Sequence, residues 1–189
     1  MSKYRKYFVV MTATASLFAG SVDGAISFNL NPDKPPHYAI DNSEGIQYFS
    51  PLEDEFIEAL WSNSTDKVQE LLNQGVNPNS VDKYNGDSAL MIAAMHDNKE
   101  IARTLIEKGA ITRYQNYHYP HAVRGMNALM VAVLNNRVLV VDMLLDADTK
   151  KKTINAKTTE GTTALMIAAA HGYTDLVSRL IESKAKVND

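Results

Sequence analysis

The 189-residue chain contains no cysteine, a single tryptophan and no excess of positive charge. Without cysteine there is no disulfide, no thiol nucleophile, no cysteine-ligated zinc or iron–sulfur cluster and no lipid anchor on Cys. Nineteen Lys and Arg stand against 22 Asp and Glu, for a net charge of −3 and a pI near 5.9. That balance argues against nucleic acid as a partner, because a phosphate backbone calls for a basic face. A Walker loop, a dinucleotide-binding glycine fingerprint, His-Glu-x-x-His and Gly-x-Ser-x-Gly are all missing, so no enzymatic motif and no cofactor site is expected. What is present is ordinary globular usage, 45% apolar and 22% charged, in a chain long enough to bury a real core.

Lys3, Arg5 and Lys6 precede an apolar run from Tyr7 to Gly20, followed by small residues through Ala25. Basic start, short apolar run and small-residue exit are the anatomy of a secretory signal peptide. The run is too short, and too interrupted by Thr12, Thr14 and Ser16, for a spanning helix. Cleavage fits after Ser21 or after Gly24. The expectation is a signal peptide over 1–24 and an exported, periplasmic protein without membrane insertion once it is cleaved. Loss of 1–24 leaves 16 basic and 21 acidic residues, a net charge of −5. Residues 25–49 hold Pro32, Pro35, Pro36 and Gly45 without helical periodicity, which predicts an extended arm.

From residue 50 the chain repeats. Ser50, Pro51 and Glu53 suit an N-cap, a first helical position and a capping box. Asp87-Ser88-Ala89-Leu90-Met91-Ile92-Ala93-Ala94 returns as Met126-Asn127-Ala128-Leu129-Met130-Val131-Ala132-Val133 and as Thr162-Thr163-Ala164-Leu165-Met166-Ile167-Ala168-Ala169. A second block, Val68 to Gly75, returns at Ala102 to Gly109, at Val141 to Asp146 and at Val177 to Glu182. Leu90 to Leu129 is 39 residues, Leu129 to Leu165 is 36, and Gly75 to Gly109 is 34. Ser88, Asn127 and Thr163 are placed to cap a first helix, Asp97 with Glu100 to open a second, and Gly75 and Gly109 to end it in a left-handed turn. A pair of short helices cannot bury its apolar face alone, so the units must stack.

At these blocks the sequence resembles the ankyrin repeat. The three Ala-Leu-Met-(Ile/Val)-Ala segments stand where that family has Thr-Pro-Leu-His-x-Ala-Ala. Gly109-Ala110, Gly75-Val76-Asn77-Pro78-Asn79 and Ala185-Lys186-Val187-Asn188 stand where it has Gly-Ala-Asp-Val-Asn. The resemblance implies an all-α solenoid of four helix–turn–helix units, at about 50–81, 82–114, 122–156 and 157–189, behind the N-terminal arm. Met replaces the family's His and Ala its Pro, and the helix-ending Gly is lost at Asp148 and Lys184. Glu55 and Glu58 give the first unit a water-facing side. The connections Arg113–Arg124 and Thr149–Thr153 are longer than the family's.

The resemblance further implies a non-enzymatic protein-binding module whose partner meets the inter-repeat fingers and the exposed ends of the first helices. On this chain the helix positions are Trp61, Met95, His96, Leu134, Asn135 and His171, and the finger positions are Tyr84, Asn85 and Arg124. Trp61, Met95 and Leu134 are expected to form an apolar interaction patch, unless Trp61 packs under the arm. Tyr114, Tyr117 and Tyr119 crowd the long finger, which either serves recognition or folds back on its own repeat. His118 and His121 have chelating spacing but no third ligand, so no metal is expected. Asn63-Ser64-Thr65 matches a glycosylation acceptor, relevant only in a eukaryotic secretory pathway. The expected partner is a protein, and the free chain is expected to be monomeric. Covering a partner enzyme, for instance as protection against a toxic or wall-degrading one, is the leading role. An adaptor or stabiliser for a stress-response enzyme or envelope assembly, and a secreted virulence effector binding host proteins, are the alternatives.

Overall fold

The computed structural model describes residues 51–118, 124–148 and 152–187, within a compact unit spanning Phe49–Asp189. The expected signal peptide, the arm and the capping residue Ser50 lie outside the described residues, as do Tyr119 and His121. Among the described residues the helices come in four pairs: α1 (Pro51–Trp61) and α2 (Thr65–Asn73), α3 (Ala89–Met95) and α4 (Lys99–Glu107), α5 (Ala128–Leu134) and α6 (Val138–Ala147), α7 (Ala164–Ala170) and α8 (Thr174–Glu182). Among the described residues β structure is confined to two isolated bridges, Val81 with Ser88 and Asn116 with Met126.

The first helices of the last three units, α3, α5 and α7, are built wholly from Ala, Leu, Met, Ile and Val, which leave no polar atom to bury. Each is started by the expected cap. The side chains of Ser88, Asn127 and Thr163 accept the backbone N–H of Met91, Met130 and Met166, at 3.3, 2.9 and 3.2 Å. Each helix then packs on its own partner and on the corresponding helix of the next unit, α3 on α5 and α5 on α7, while α4, α6 and α8 form a second row. Leu90, Leu129, Leu71, Leu105, Leu144 and Leu180 fill the layer between the rows and are fully buried.

The turn between paired helices needs one left-handed residue, supplied by Asn63, Asp97 and Asn136 at φ near 55° and by Gly172 in the last unit. Short polar side chains tolerate that conformation better than others do. Asp97 therefore serves as the turn residue and does not cap. Its neighbour Asn98 accepts the Ile101 N–H at 2.9 Å instead, and its amide donates to Asn63 Oδ1 and Thr65 Oγ1 of the preceding turn.

The second helices end as Gly75 and Gly109 predict, both at φ above 90°. Where glycine is lost, two different solutions appear. Lys184 adopts the left-handed conformation itself, at φ 73°. Asp148 does not; its buried carboxylate accepts the N–H groups of Lys152, Thr153 and Ile154 at 3.0, 2.8 and 2.9 Å. Lys152, Thr153 and Ile154, at the far side of the longer connection after α6, are thus held by a carboxylate, with charge-assisted bonds in place of a glycine turn.

Candidate functional site

Three fingers project between the units, and each begins at an equivalent polar residue. Asp82 N–H donates to Asp87 O, Asn116 N–H to Met126 O and Thr158 N–H to Thr162 O, at 2.8, 2.8 and 3.0 Å. Near each tip a glycine N–H returns to the first residue: Gly86 to Asp82 O, Gly125 to Asn116 O and Gly161 to Thr158 O. Gly86 has φ +74°, and a Cβ there would fall within 3 Å of the His118 ring and of Asn116 Oδ1. No larger residue fits that tip as it stands.

Successive fingers are tied together. The buried Asn116 amide donates to Asn85 O at 2.8 Å and to Asp87 Oδ1 at 2.9 Å, and the Tyr114 hydroxyl donates to Gly86 O at 2.9 Å. Burial, with the Asp87 charge adding to it, raises the Tyr114 pKa above its ordinary value and keeps the phenol a donor. Gln115 Nε2 bridges Gly125 O and Lys157 O at 2.6 and 2.9 Å, and Thr159 N–H donates to Arg124 O at 3.0 Å. The fingers therefore form a cross-bonded row held in place by main-chain acceptors.

Of the predicted contact residues, Tyr84 and Tyr117 are exposed, Tyr117 at 55%. The Lys83 ammonium lies 5.3 Å from the Tyr84 ring centroid, and Tyr117 OH donates to Gln115 Oε1 at 3.3 Å. Asn85, Met95, His96, Arg124, Asn135 and His171 are half-buried. The Asn135 amide donates to Val131 O at 2.8 Å, and His171 stacks on Tyr173 with Nδ1 2.9 Å from Ile167 O. Tyr114 is bonded inward, so the first part of the long finger folds back on the neighbouring repeat.

The expectation of an apolar patch over Trp61, Met95 and Leu134 needs correction. Trp61 is only 8% exposed, Leu134 is buried as well, and Met95 is half-buried. Trp61 Nε1 donates to Asp82 Oδ2 at 2.6 Å and its ring meets His96 edge-on at 6.0 Å. A bond from a buried indole to a carboxylate contributes about 1.5–3 kcal/mol, and here it joins the first unit to the first finger. His96 is pushed below its ordinary pKa by burial and secondarily by the positive charge of Arg137, whose Nε donates to Met95 O at 3.1 Å.

Sequence reasoning overlooked Asn116, Gln115 and Asp148, which organise the fingers and the last connection. The signal was present for Asn116, which occupies the register of Asp82. For Gln115 and Asp148 the partners are main-chain atoms, which no residue pattern marks. Among the described residues no group of three or more His, Asp or Glu is arranged to hold a metal ion. No helix among them is long and apolar enough to cross a membrane.

A family model of three ankyrin repeats in tandem matches residues 56–156 and again 124–189. The chain belongs to the ankyrin-repeat family. Among its relatives, human neurogenic locus notch homolog protein 4 is 31% identical over 128 residues, covering 68% of this chain and 6% of that protein. Human ankyrin repeat and SOCS box protein 3 is 32% identical over 53% of this chain and 18% of its own length. The ankyrin repeat and KH domain-containing protein mask-1 of Caenorhabditis elegans is 32% identical over 93% of this chain and 7% of its own. The chain thus spans a small part of each. Ankyrin repeats are protein–protein interaction modules, and that is the function class of this chain.

Proposed function

We propose that this ankyrin-repeat protein is an exported, non-enzymatic binding protein that covers the working surface of a partner enzyme in the periplasm. The observation that supports this reading most is the finger row. Asn116, Gln115 and Thr159 hold the three fingers together before any partner arrives, while Tyr84 and Tyr117 remain exposed on neighbouring fingers. A preorganised row loses little entropy on binding, and tyrosine offers large area with few torsions to freeze. With Trp61 and Leu134 buried, recognition rests on the fingers and on the half-buried polar ends of the first helices. The export step rests on the signal-like first 24 residues and on the cysteine-free composition.

Replacing Tyr84 and Tyr117 together with Ala tests the site. The variant should keep the wild-type circular dichroism and melting temperature, and lose at least tenfold in affinity for the protein that the wild type retains from periplasmic extract. Unchanged affinity removes the finger row as the site. A chain found unprocessed in the cytoplasm removes the export step and leaves the finger test standing.

A further inference from the structure

Equivalent positions can be followed from unit to unit. Met91 recurs as Met130 and Met166, Ala94 as Val133 and Ala169, and Leu72 as Ile106, Leu145 and Ile181. Met91 and Met130 are fully buried because the next pair of helices lies over them; Met166 is 43% exposed. Leu72 and Leu145 are buried and Ile106 is half-buried, whereas Ile181 is 45% exposed. Ala169 and Ala170 are likewise exposed. Charge is lacking here too. Ser178 holds the place where Asp142 receives the Arg179 guanidinium of the following unit, at 2.6 and 2.7 Å. The outer face of α7 and α8 therefore exposes Met166 and Ile181 at positions where Met91, Met130, Leu72 and Leu145 are buried.

The opposite end is built differently. Ile92, Val131 and Ile167 are buried, but the first unit has exposed Glu58 at that position. Lys67 stands where Ile101, Val140 and Leu176 are buried, and it pairs with Glu55 at 3.0 Å. Head-to-tail stacking of two copies would press Glu58 and Lys67 onto Met166 and Ile181, leaving charges buried against hydrocarbon. Tail-to-tail pairing carries no such cost, and the tail face is self-complementary. Met166 projects, while Ala169 and Ala170, three and four residues on, are recessed on the same side of the helix. Two copies related by a twofold axis place each Met166 over the other's alanines.

We propose that the α7–α8 end face docks a second copy of this chain, tail to tail, in a closed dimer. Two short helices per copy form a patch smaller than a standard interface, so the association is weak, with a dissociation constant on the order of 10–100 µM. This departs from the expectation of a monomer and leaves the finger row free.

Sedimentation equilibrium of the purified protein should show a mass rising toward twice the monomer's as concentration increases through that range. Met166→Glu combined with Ile181→Glu should weaken self-association at least tenfold without changing the melting temperature of dilute protein. The native chain has no cysteine, so single thiols report the geometry cleanly. Ala169→Cys should form a disulfide-linked dimer by itself on mild oxidation, and Glu58→Cys should not. A constant monomer mass to about 500 µM together with no Ala169→Cys cross-link would overturn the proposal. So would cross-linking that occurs only between Ala169→Cys and Glu58→Cys, since that result means head-to-tail growth.

Discussion

In the first helix pair the outward positions are Glu55, Glu58 and Lys67; in the last they are Met166, Ala169 and Ile181. Both pairs turn through one left-handed residue, Asn63 or Gly172, and both bury a leucine of the second helix between the rows, Leu71 or Leu180. The difference shows that two separate demands are written into one repeat. Positions facing the unit's own partner helix stay large and apolar in both pairs, Phe56 with Leu71 and Leu165 with Leu180, because every unit must close its own pair. Positions facing outward from the pair are freer to vary: they are polar in the first pair and keep the apolar pattern of the interior units in the last.

The sharpest way to break this comparison is to make one change at two equivalent positions. Met130→Ala removes a fully buried side chain between units and should cost about 2–5 kcal/mol. Met166→Ala makes the same chemical change on an open face and should stay within about 0.5 kcal/mol in dilute protein. Urea unfolding of both variants, at a concentration well below any self-association, reads the contrast directly. Equal costs would mean that the outer face of α8 and α7 is already covered in the free chain.

A second variant turns one end into the other. Glu58→Ile with Lys67→Ile gives the first unit the aliphatic leading face that Ile92 and Ile101 give the second. Both ends would then be apolar and complementary, and a head-to-tail contact between copies does not close on itself. The expected outcome is light scattering that grows with concentration well beyond dimer size. Adding Met166→Glu and Ile181→Glu to the same chain should abolish it. Growth that survives all four substitutions would mean the contact lies elsewhere.

Much of the fold was legible because it rests on residues that return in register. Ser88, Asn127 and Thr163 cap as their position predicts, and Gly75 and Gly109 end helices as glycine there must. What could not be read is where one residue serves two units at once. Trp61 occupies a position that looks outward on a lone helix, yet Asp82 and His96, 21 and 35 residues away, close over it. Asp97 looked like a cap because capping and left-handed turns favour the same short polar side chains, and only the backbone decides between them. The candidate site divides along the same line. Exposure of Tyr84 and Tyr117 follows from loop placement, whereas the inward bond of Tyr114 depends on Gly86 in the neighbouring finger.

The smallest expected effect concerns the inner side of the first unit, which the Trp61–His96 contact seals, whereas the equivalent Ala170 of the last unit is open. Among the described residues the buried Nε2 of His96 has no hydrogen-bond partner, and a proton added there would sit without an acceptor, near the Arg137 charge. Burial first and that charge second hold the folded-state pKa below the ordinary value of 6.5. The unfolded chain therefore binds the proton more tightly than the folded one. Stability should be full above 6.5, decline as pH falls from 6.5 toward the lower folded value, and become flat with respect to this group below it. His96→Phe keeps an aromatic edge for Trp61 and carries no proton, so urea midpoints at pH 7.5 and pH 5.5 (about one unit either side of that value) should differ less than in the wild type. The half-exposed ring keeps the wild-type difference small. An equal pH dependence in both proteins would mean that it arises elsewhere in the chain, and the seal at the leading end would then be indifferent to protonation.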